Sequence, residues 1–180
     1  MSDFSIDTQR LLLRDWTESD FEPYAEMCRS PEVMQFFPHL QTESESQNQI
    51  RVFQKHFKEH GFTYFAVEKA SNSEFIGFVG LKHQTFESPF TPCVDIGWRL
   101  KKEAWGQGYA TEAANACVDF AFNKVKLREL YAFCPRINLP SQAVMKRIGM
   151  VEVGNFHHEA IPIDSALNPC VAWHLSPQAP

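Results

Sequence analysis

Two glycines stand one residue apart in the segment KKEAWGQGYATEA, directly before an alanine-rich run with helical periodicity. Glycine is costly in backbone entropy wherever another residue would serve. Gly106 and Gly108 therefore indicate a sharp turn or the close approach of another group to the backbone. The first turn of the next helix has free N–H groups and the positive end of the helix dipole. This arrangement is suited to bind phosphate or pyrophosphate, although two glycines could also serve only to turn the chain.

Two common nucleotide-binding motifs do not fit this segment. A P-loop ends in Gly-Lys-Ser/Thr, which is not found in the sequence. A Rossmann fingerprint needs a third glycine where this chain has Thr111, and it follows its strand at once within a βαβ repeat. Here KKEAW intervenes, so dinucleotide binding is disfavoured.

The strand before the turn is predicted from alternation in VDIGWRL. Alternate side chains face opposite sides, with Val94, Ile96, Trp98 and Leu100 on one side and Asp95, Gly97 and Arg99 on the other. Gly97 therefore lies inside a strand and packs no side chain there. Such a glycine indicates a β-bulge or a close backbone approach.

The first half of the chain combines helical periodicity with a later run of strands. RLLLRDW predicts a first strand, and TESDFEPYAEMCRSPEVMQFF predicts a helix with a capping start, which Pro31 ends. A second helix has Ile50, Phe53 and Phe57 on one face and stops at Gly61. FTYFAVEK, FIGFVGLKH and CVDIGWRL then predict an antiparallel meander, because their connections are too short for crossover helices.

The second half alternates helices and strands. Residues 108–125 are predicted to be helical, with a stripe of small side chains that would let the helix lie close to a sheet: Ala110, Ala113, Ala114, Cys117 and Ala121. A strand at ELYAFC, a helix at PSQAVMKRIG and closing strands at MVEVGNF and CVAWHL follow. These elements predict an α+β domain with a single mixed sheet.

Composition limits the class of protein. The 180 residues contain no Pro/Gly/Ser-rich linker and no internal repeat, so one domain over residues 1–180 is expected. No apolar run approaches the roughly 18 residues that span a bilayer, and a cytoplasmic protein without membrane association is expected. The net charge of −5 disfavours nucleic-acid binding. The five scattered cysteines form no CxxC pair and are expected to be reduced core thiols.

Three stretches are informative together: TQRLLLRDWTESDFEPY, DIGWRLKKEAWGQGYATEAANACVDFAF and RINLPSQAVMKRIGM. Their most specific parts are WGQGYATEA and the Asn-x-x-Ser of NLPS. They resemble the GNAT N-acetyltransferases, in particular the ribosomal-protein N-terminal acetyltransferases, and the resemblance covers nearly the whole chain. It implies a mostly antiparallel sheet with helices on both faces. It also implies acetyl-CoA as acyl donor, a primary amine as acceptor, and no metal.

The resemblance also implies which residues bind coenzyme A. The glycine turn would give backbone N–H groups to the pyrophosphate, through Gly106, Gln107, Gly108, Tyr109 and Ala110. The strand residues Ile96, Trp98, Arg99 and Leu100 match a bulged strand whose backbone pairs with the pantetheine arm. An N–H of Trp98 or Arg99 would meet the oxyanion.

One position departs from the pattern of the family, which often carries Gln or Arg where this chain has Glu103. An acid is poorly suited to face phosphate. We therefore expect Glu103 to point to solvent, with Lys101, Lys102 or Lys146 supplying positive charge.

Acetyl transfer needs a neutral amine, a stabilised oxyanion and a proton for the leaving thiolate. The resemblance places Asn138, whose plainest role is a helix N-cap, against the pantetheine arm, and Ser141 at the thiolate. Ser141 could also be a helix-start residue without a chemical role. His157 and Glu159 in NFHHEAIP are candidates for the general base, since histidine titrates near neutral pH. Adjacent histidines in a surface segment are also commonly only solvated, and metal binding by this segment is not expected.

Several alternatives remain open on the sequence. A non-catalytic CoA-binding regulatory or partner-binding module on the same fold is the second functional hypothesis, because no base is evident. The segment FFPHL, with Phe36, Phe37 and His39, is expected to shape the acceptor pocket, or to be core or a dimer contact. The acceptor is a protein N-terminus or a small-molecule amine, and the protein is a monomer or a homodimer.

Overall fold

A computed structural model describes residues 4–177 and contains one eight-stranded sheet. The strands are β1 (Ser5–Asp7), β2 (Leu11–Arg14), β3 (Tyr64–Lys69), β4 (Phe75–Gln84), β5 (Cys93–Leu100), β6 (Leu130–Pro135), β7 (Val151–Phe156) and β8 (Cys170–Leu175). Their spatial order is β1-β2-β3-β4-β5-β6-β8-β7, and the β5–β6 pair is parallel while the other pairs are antiparallel. The predicted mixed, mostly antiparallel sheet is confirmed.

Helices cover both faces of this sheet, as the strand alternation requires. They are α1 (Phe21–Arg29), α2 (Glu43–His60), α3 (Tyr109–Asp119) and α4 (Leu139–Arg147). On β3, Phe65 and Val67 belong to the core that includes buried residues of α3 and α4. Ala66, between them, belongs to the second core, which includes buried residues of α1 and α2. None of the helices within residues 4–177 combines the length and apolar character needed to cross a membrane.

The predicted helix boundaries follow local capping chemistry. Thr42 caps α2, where its hydroxyl accepts the N–H of Glu45 at 3.2 Å and the Glu45 carboxylate accepts the N–H of Thr42 at 2.7 Å. Gly61 ends this helix with φ at +75°, a conformation that favours glycine. Helix α1 ends at Arg29, two residues before Pro31, as expected.

Three details differ from the sequence prediction. Strand β1 precedes the strand that was predicted to be first. The predicted helix 108–125 is α-helical only to Asp119 and continues as a π-helical segment, Phe120–Val125. Of the two alternatives given for Gly97, a β-bulge in the pairing with β4 is wrong, because that register runs unbroken from Cys93 to Leu100. A Cβ atom at Gly97 would lie 3.0 Å from the ring of Tyr64, so the glycine makes room for this ring.

The sheet opens between β5 and β6. These strands share one paired position, Asp95 with Tyr131, whereas β5 pairs with β4 along its whole length. Beyond Asp95 the two parallel strands diverge, so the edge of β5 from Ile96 to Leu100 has no strand partner. This opening, with α3 and α4 beside it, positions the candidate site.

Candidate active site

The open edge of β5 presents a defined set of backbone groups. The N–H of Lys101 donates to the carbonyl of Ile76 on β4 at 2.8 Å. Because N–H groups alternate in direction along a strand, the N–H of Arg99 points toward β4 and the N–H of Trp98 points into the opening. Of the two residues that were considered as oxyanion donors, the strand geometry therefore favours Trp98.

The glycine turn lies where this edge ends, at the N-terminus of α3. Gly106 and Gly108 have φ of +72° and +80°, and Gly108 is the N-cap of the helix. A Cβ atom at Gly106 would meet nothing within 4 Å, and one at Gly108 would meet only Nη2 of Arg10, at 3.5 Å. The backbone conformation, and not crowding, therefore requires glycine at both positions. The N–H groups in the first turn of α3 have no acceptor within the helix.

Arg10 is the cation that supports the glycine turn, and no sequence motif points to it. Its Nη1 donates to the carbonyl of Gln107 at 3.0 Å, and its guanidinium lies 4.5 Å from the ring centre of Tyr109. Glu112 on the first turn of α3 holds Arg10 through a 2.7 Å ion pair. Because all partners of Arg10 here are distant in sequence, only the folded chain reveals this role.

The three lysines that were expected to supply positive charge do not line the cleft. Lys102 pairs with Glu32 at 2.9 Å, Lys101 lies over the ring of Phe75, and Lys146 lies over the ring of Trp173. The cation that lines the cleft beside α4 is Arg147. Glu103 is exposed to solvent, as expected.

The start of α4 brings the predicted Asn138 and Ser141 to the cleft. Asn138 is the N-cap of this helix, and its Oδ1 accepts the N–H of Ser141 at 3.1 Å. The capping bond uses the carbonyl oxygen of the amide and leaves the Nδ2 group available to donate. Ser141 is half-buried, and within residues 4–177 its hydroxyl makes no hydrogen bond. Both side chains therefore have a polar group available to a ligand.

The end of the cleft away from the glycine turn is lined by the segment between α1 and α2. Phe36 and Phe37 line it, whereas His39 is exposed and lies 3.5 Å from a carboxylate oxygen of Glu45. Arg99 reaches this end from β5, and its guanidinium carbon lies 4.1 Å from the ring centre of Phe37. The aromatic segment thus forms part of the predicted pocket wall.

A buried carboxylate stands where β5 and β6 part. Asp95 accepts hydrogen bonds from the hydroxyl of Tyr64, at 2.7 and 2.8 Å to its two oxygens. Gln84 donates to the same hydroxyl at 3.1 Å. Burial raises the pKa of Asp95 to about 6, against the opposing effect of the Tyr64 hydrogen bond. Strand alternation predicts that Asp95 lies on the same side of β5 as Gly97 and Arg99, but it does not reveal a buried polar cluster.

The structure does not bring His157 and Glu159 into the cleft. His157 is exposed, and Glu159 accepts a hydrogen bond from the N–H of Glu87 at 3.3 Å. His158 between them packs on the ring of Phe86 with 4.5 Å between ring centres. Their assignment as catalytic residues stays a prediction.

The cleft has a volume of about 780 Å³ and lies between β5, α3, α4 and the segment that carries Phe36 and Phe37. Among the residues predicted to bind the donor, the ones that line it are Trp98, Arg99, Leu100, Gly106, Gly108, Tyr109, Ala110, Asn138 and Ser141. Ile96 is fully buried in the core, and the Gln107 side chain donates to the carbonyl of Glu103 at 2.7 Å. The cleft offers backbone donors for an anion at one end and an apolar wall with one guanidinium at the other.

Comparison with known proteins gives a consistent result. The acetyltransferase (GNAT) domain family matches residues 10–151. The chain is 30% identical over 158 residues to an uncharacterized N-acetyltransferase, YnaD, of Bacillus subtilis (strain 168), and the match covers 87% of this chain and 88% of the relative.

Solved structures agree with this result. An acetyltransferase (GNAT family) from Bacillus anthracis superposes with a TM-score of 0.80 at 25% identity, over 96% of this chain and 98% of that one. RimL, a ribosomal L7/L12 alpha-N-protein acetyltransferase in complex with coenzyme A, shares the fold with a TM-score of 0.77 at 16% identity, over 96% and 98% of the two chains.

Proposed function

This chain belongs to the acetyltransferase (GNAT) family and is an N-acetyltransferase, and we propose that it moves the acetyl group of acetyl-CoA to a primary amine by direct attack within a ternary complex. One observation carries this proposal. The unpaired edge of β5 leads directly to a turn of two positive-φ glycines above a helix N-terminus, and both lie in one cleft. An extended chain that ends in a pyrophosphate fits this pair of features.

Donor binding follows from the backbone. The N–H groups of residues 106–110 would hold the pyrophosphate, with Arg10 and Arg147 as the nearby cations. The pantetheine arm would take the place of a strand on the open edge of β5. Nδ2 of Asn138, free of the capping bond, would donate to an amide carbonyl of this arm.

The chemical step would take place beside Trp98. The amine nitrogen attacks the thioester carbon, and the N–H of Trp98 stabilises the negative charge that develops on the carbonyl oxygen. The tetrahedral intermediate then collapses as the C–S bond breaks. Ser141 would give its hydroxyl proton to the leaving thiolate and take up another proton from water. The proton of the amine would pass to water in the open cleft, because the buried Asp95 does not line it.

A mass-spectrometric screen tests the activity. The protein is mixed with acetyl-CoA and a panel of small amines and peptides with free N-termini, and both acetylated product and free coenzyme A are measured. We expect acetylated product and free coenzyme A to form in equal amounts. Tight binding of acetyl-CoA in calorimetry without coenzyme A release above the amine-free rate would instead support the non-catalytic CoA-binding module.

Further parts of the proposal rest on the sequence. We propose that the protein works in the cytoplasm, needs no metal for transfer, and binds no nucleic acid. The proposed assembly is a monomer or a homodimer, and the proposed acceptor is a protein N-terminus or a small-molecule amine.

A further inference from the structure

Arg99 is a buried cation without a carboxylate partner. Its exposed fraction is 7%, and within residues 4–177 no carboxylate oxygen lies within 4 Å of its guanidinium. Its Nη1 contacts only neutral groups, the sulfur of Cys28 at 3.2 Å and the hydroxyl of Tyr24 at 3.5 Å. Its Nε is fully buried and makes no hydrogen bond. An uncompensated buried charge is strongly unfavourable. The Arg99 guanidinium could therefore bind an anionic ligand.

The position of Arg99 separates it from the donor half of the cleft. The neighbouring side chains of Trp98 and Leu100 pack on the core of the α3 face, whereas Arg99 packs against Tyr24 and Phe78 on the α1 face. The glycine turn lies at the start of α3, so an anion at Arg99 would not be the pyrophosphate. Arg99 instead faces the wall formed by Phe37, one residue along the strand from the N–H of Trp98.

The charge balance favours a carboxylate. Glu32 lines the same end of the cleft and already pairs with Lys102 at 2.9 Å. Arg99 is therefore the only cation that lines this end in the described part of the chain. One guanidinium matches the single charge of a carboxylate and can bind both of its oxygens, whereas a phosphate dianion would bring excess negative charge beside Glu32.

We infer that Arg99 binds a carboxylate on the acceptor, and that the acceptor is a small amine that carries this carboxylate, such as an α-amino acid. This inference rests on the proposed function, because it assigns the acceptor of the same cleft. The acceptor would share the pocket with Phe37, whose half-exposed ring lies over the guanidinium. The carboxylate would supply the partner that Nε and Nη2 lack.

Matched amine pairs test this inference. Acetylation by acetyl-CoA is measured for a panel of α-amino acids and for the corresponding α-amino amides, with the wild-type protein and with Arg99→Gln, Arg99→Lys and Arg51→Gln. Arg51 is an exposed arginine near the ring of Phe21 and does not line the cleft. We expect kcat/KM to favour the acids at least tenfold in the wild type and in Arg51→Gln. Arg99→Gln should abolish this preference, Arg99→Lys should keep part of it, and the KM of acetyl-CoA should stay unchanged.

Equal kcat/KM for acids and amides in the wild type, or an acid preference that persists in Arg99→Gln, would overturn the inference. If no amine is acetylated, binding of the amino acids to the CoA-loaded protein is measured by calorimetry. Binding that Arg99→Gln removes would then support the carboxylate site while the proposed transferase activity fails. No binding to the wild type would overturn the site as well.

A separate cluster of three histidines lies outside the cleft. His56 and His60 stand one turn apart near the end of α2, and His83 lies on β4. One ring nitrogen of each lies within 4.8 Å of the other two, and Nε2 of His56 is 3.1 Å from Nδ1 of His83. Ligand nitrogens of a tetrahedral zinc site are about 3.3 Å apart, given Zn–N bonds of about 2.0–2.1 Å. The first pair is thus already at the spacing of two zinc ligands.

The surroundings of these rings suit a metal. Nδ1 of His56 lies 2.8 Å from the carbonyl of Phe62, which fixes the proton on Nδ1 and leaves Nε2 unprotonated. His60 is exposed and can rotate its ring toward the pair.

We propose that His56, His60 and His83 bind one Zn²⁺ ion, with water as the fourth ligand, and that this ion ties the end of α2 to β4. Zinc would replace the weak contact between Nε2 of His56 and the N–H of His83, which are 3.2 Å apart. None of the three rings lines the cleft, so the site would stabilise the fold and not take part in transfer.

Zinc titration of the metal-free protein tests this site. Calorimetry with ZnCl₂ should show one ion per chain and a higher melting temperature, and His60→Asn, which removes an exposed ligand, should weaken binding at least tenfold. His39→Asn, an exposed histidine elsewhere, should bind zinc as the wild type does. A wild-type protein that binds no zinc at micromolar concentrations would overturn the proposal and leave the His56–His83 contact as a hydrogen bond. So would binding that His60→Asn and His83→Asn both leave unchanged.

Discussion

Replacing Asp95 by Asn should make the stability of the protein against unfolding less dependent on pH. The Asp95 carboxyl is buried, and its pKa rises from the ordinary 3.8 to about 6 in the folded chain. Folding therefore favours the protonated form of this group. Asparagine has almost the same size and shape and can still accept a hydrogen bond from Tyr64, but it never carries a charge.

The size of the effect follows from linkage. Below pH 3.8 the group is protonated in both the folded and the unfolded chain, so it does not lower stability. Between pH 3.8 and about 6 the unfolded chain releases this proton while the folded chain keeps it, so stability falls as pH rises. A pKa shift of about 2 units corresponds to about 3 kcal/mol in the free energy of unfolding. The wild-type protein loses this amount of stability by pH 7. The free energy of unfolding of Asp95→Asn, relative to that of the wild type, should therefore rise by about 3 kcal/mol between pH 3.5 and pH 7.

Urea unfolding at several pH values measures this difference. Other carboxylates, such as Glu32, whose hydrogen bond and ion pair with Lys102 lower its pKa to about 2, are present in both proteins and cancel. Asp164→Asn makes the same exchange at an exposed aspartate and is the matched control. A stability difference between Asp95→Asn and the wild type that stays constant from pH 3.5 to pH 7 would refute the reasoning.

The remaining predictions concern the donor site. Gly108→Val should raise the Kd of acetyl-CoA in calorimetry more than tenfold, at least about 1.4 kcal/mol, because the φ of +80° is lost; Gly61→Val, at +75° and remote from the cleft, should leave that Kd unchanged. Ser141→Ala should lower kcat roughly tenfold to a thousandfold without changing the KM of acetyl-CoA, and equal turnover would leave Ser141 a structural residue. Asn138→Asp should keep the N-cap and a melting temperature within a few degrees of the wild type, while the KM of acetyl-CoA rises several-fold. Normal acetyl-CoA binding by this variant would contradict the proposed hydrogen bond from Asn138 to the pantetheine arm.

The sequence predicted the elements whose signals are local. Apolar runs separated by turn residues located β3, β4 and β5, and Gly61 located the end of α2. Strand β1 escaped prediction because three residues carry too little periodicity to be distinguished from a loop. The π-helical end of α3 also has no sequence signal of its own, since helix periodicity continues through it.

The residues of the site also fall into those with a local sequence signal and those without one. The glycine turn and Asn138 were found because each has a local backbone role that the residue type reveals. Arg10, Asp95 and Arg99 were not assigned their roles, because their partners lie far away in sequence and only the folded sheet brings them together. The lysines near the turn were expected to supply charge from proximity in sequence alone, but their side chains pair elsewhere.

A crystal structure of the protein with acetyl-CoA tests the central claim most directly. We expect the pyrophosphate to accept hydrogen bonds from the N–H groups of residues 106–110, and the pantetheine arm to pair with the open edge of β5. The thioester carbonyl oxygen should then lie within hydrogen-bonding distance of the N–H of Trp98. Acetyl-CoA bound away from β5, or a carbonyl oxygen directed away from Trp98, would contradict the proposed mechanism.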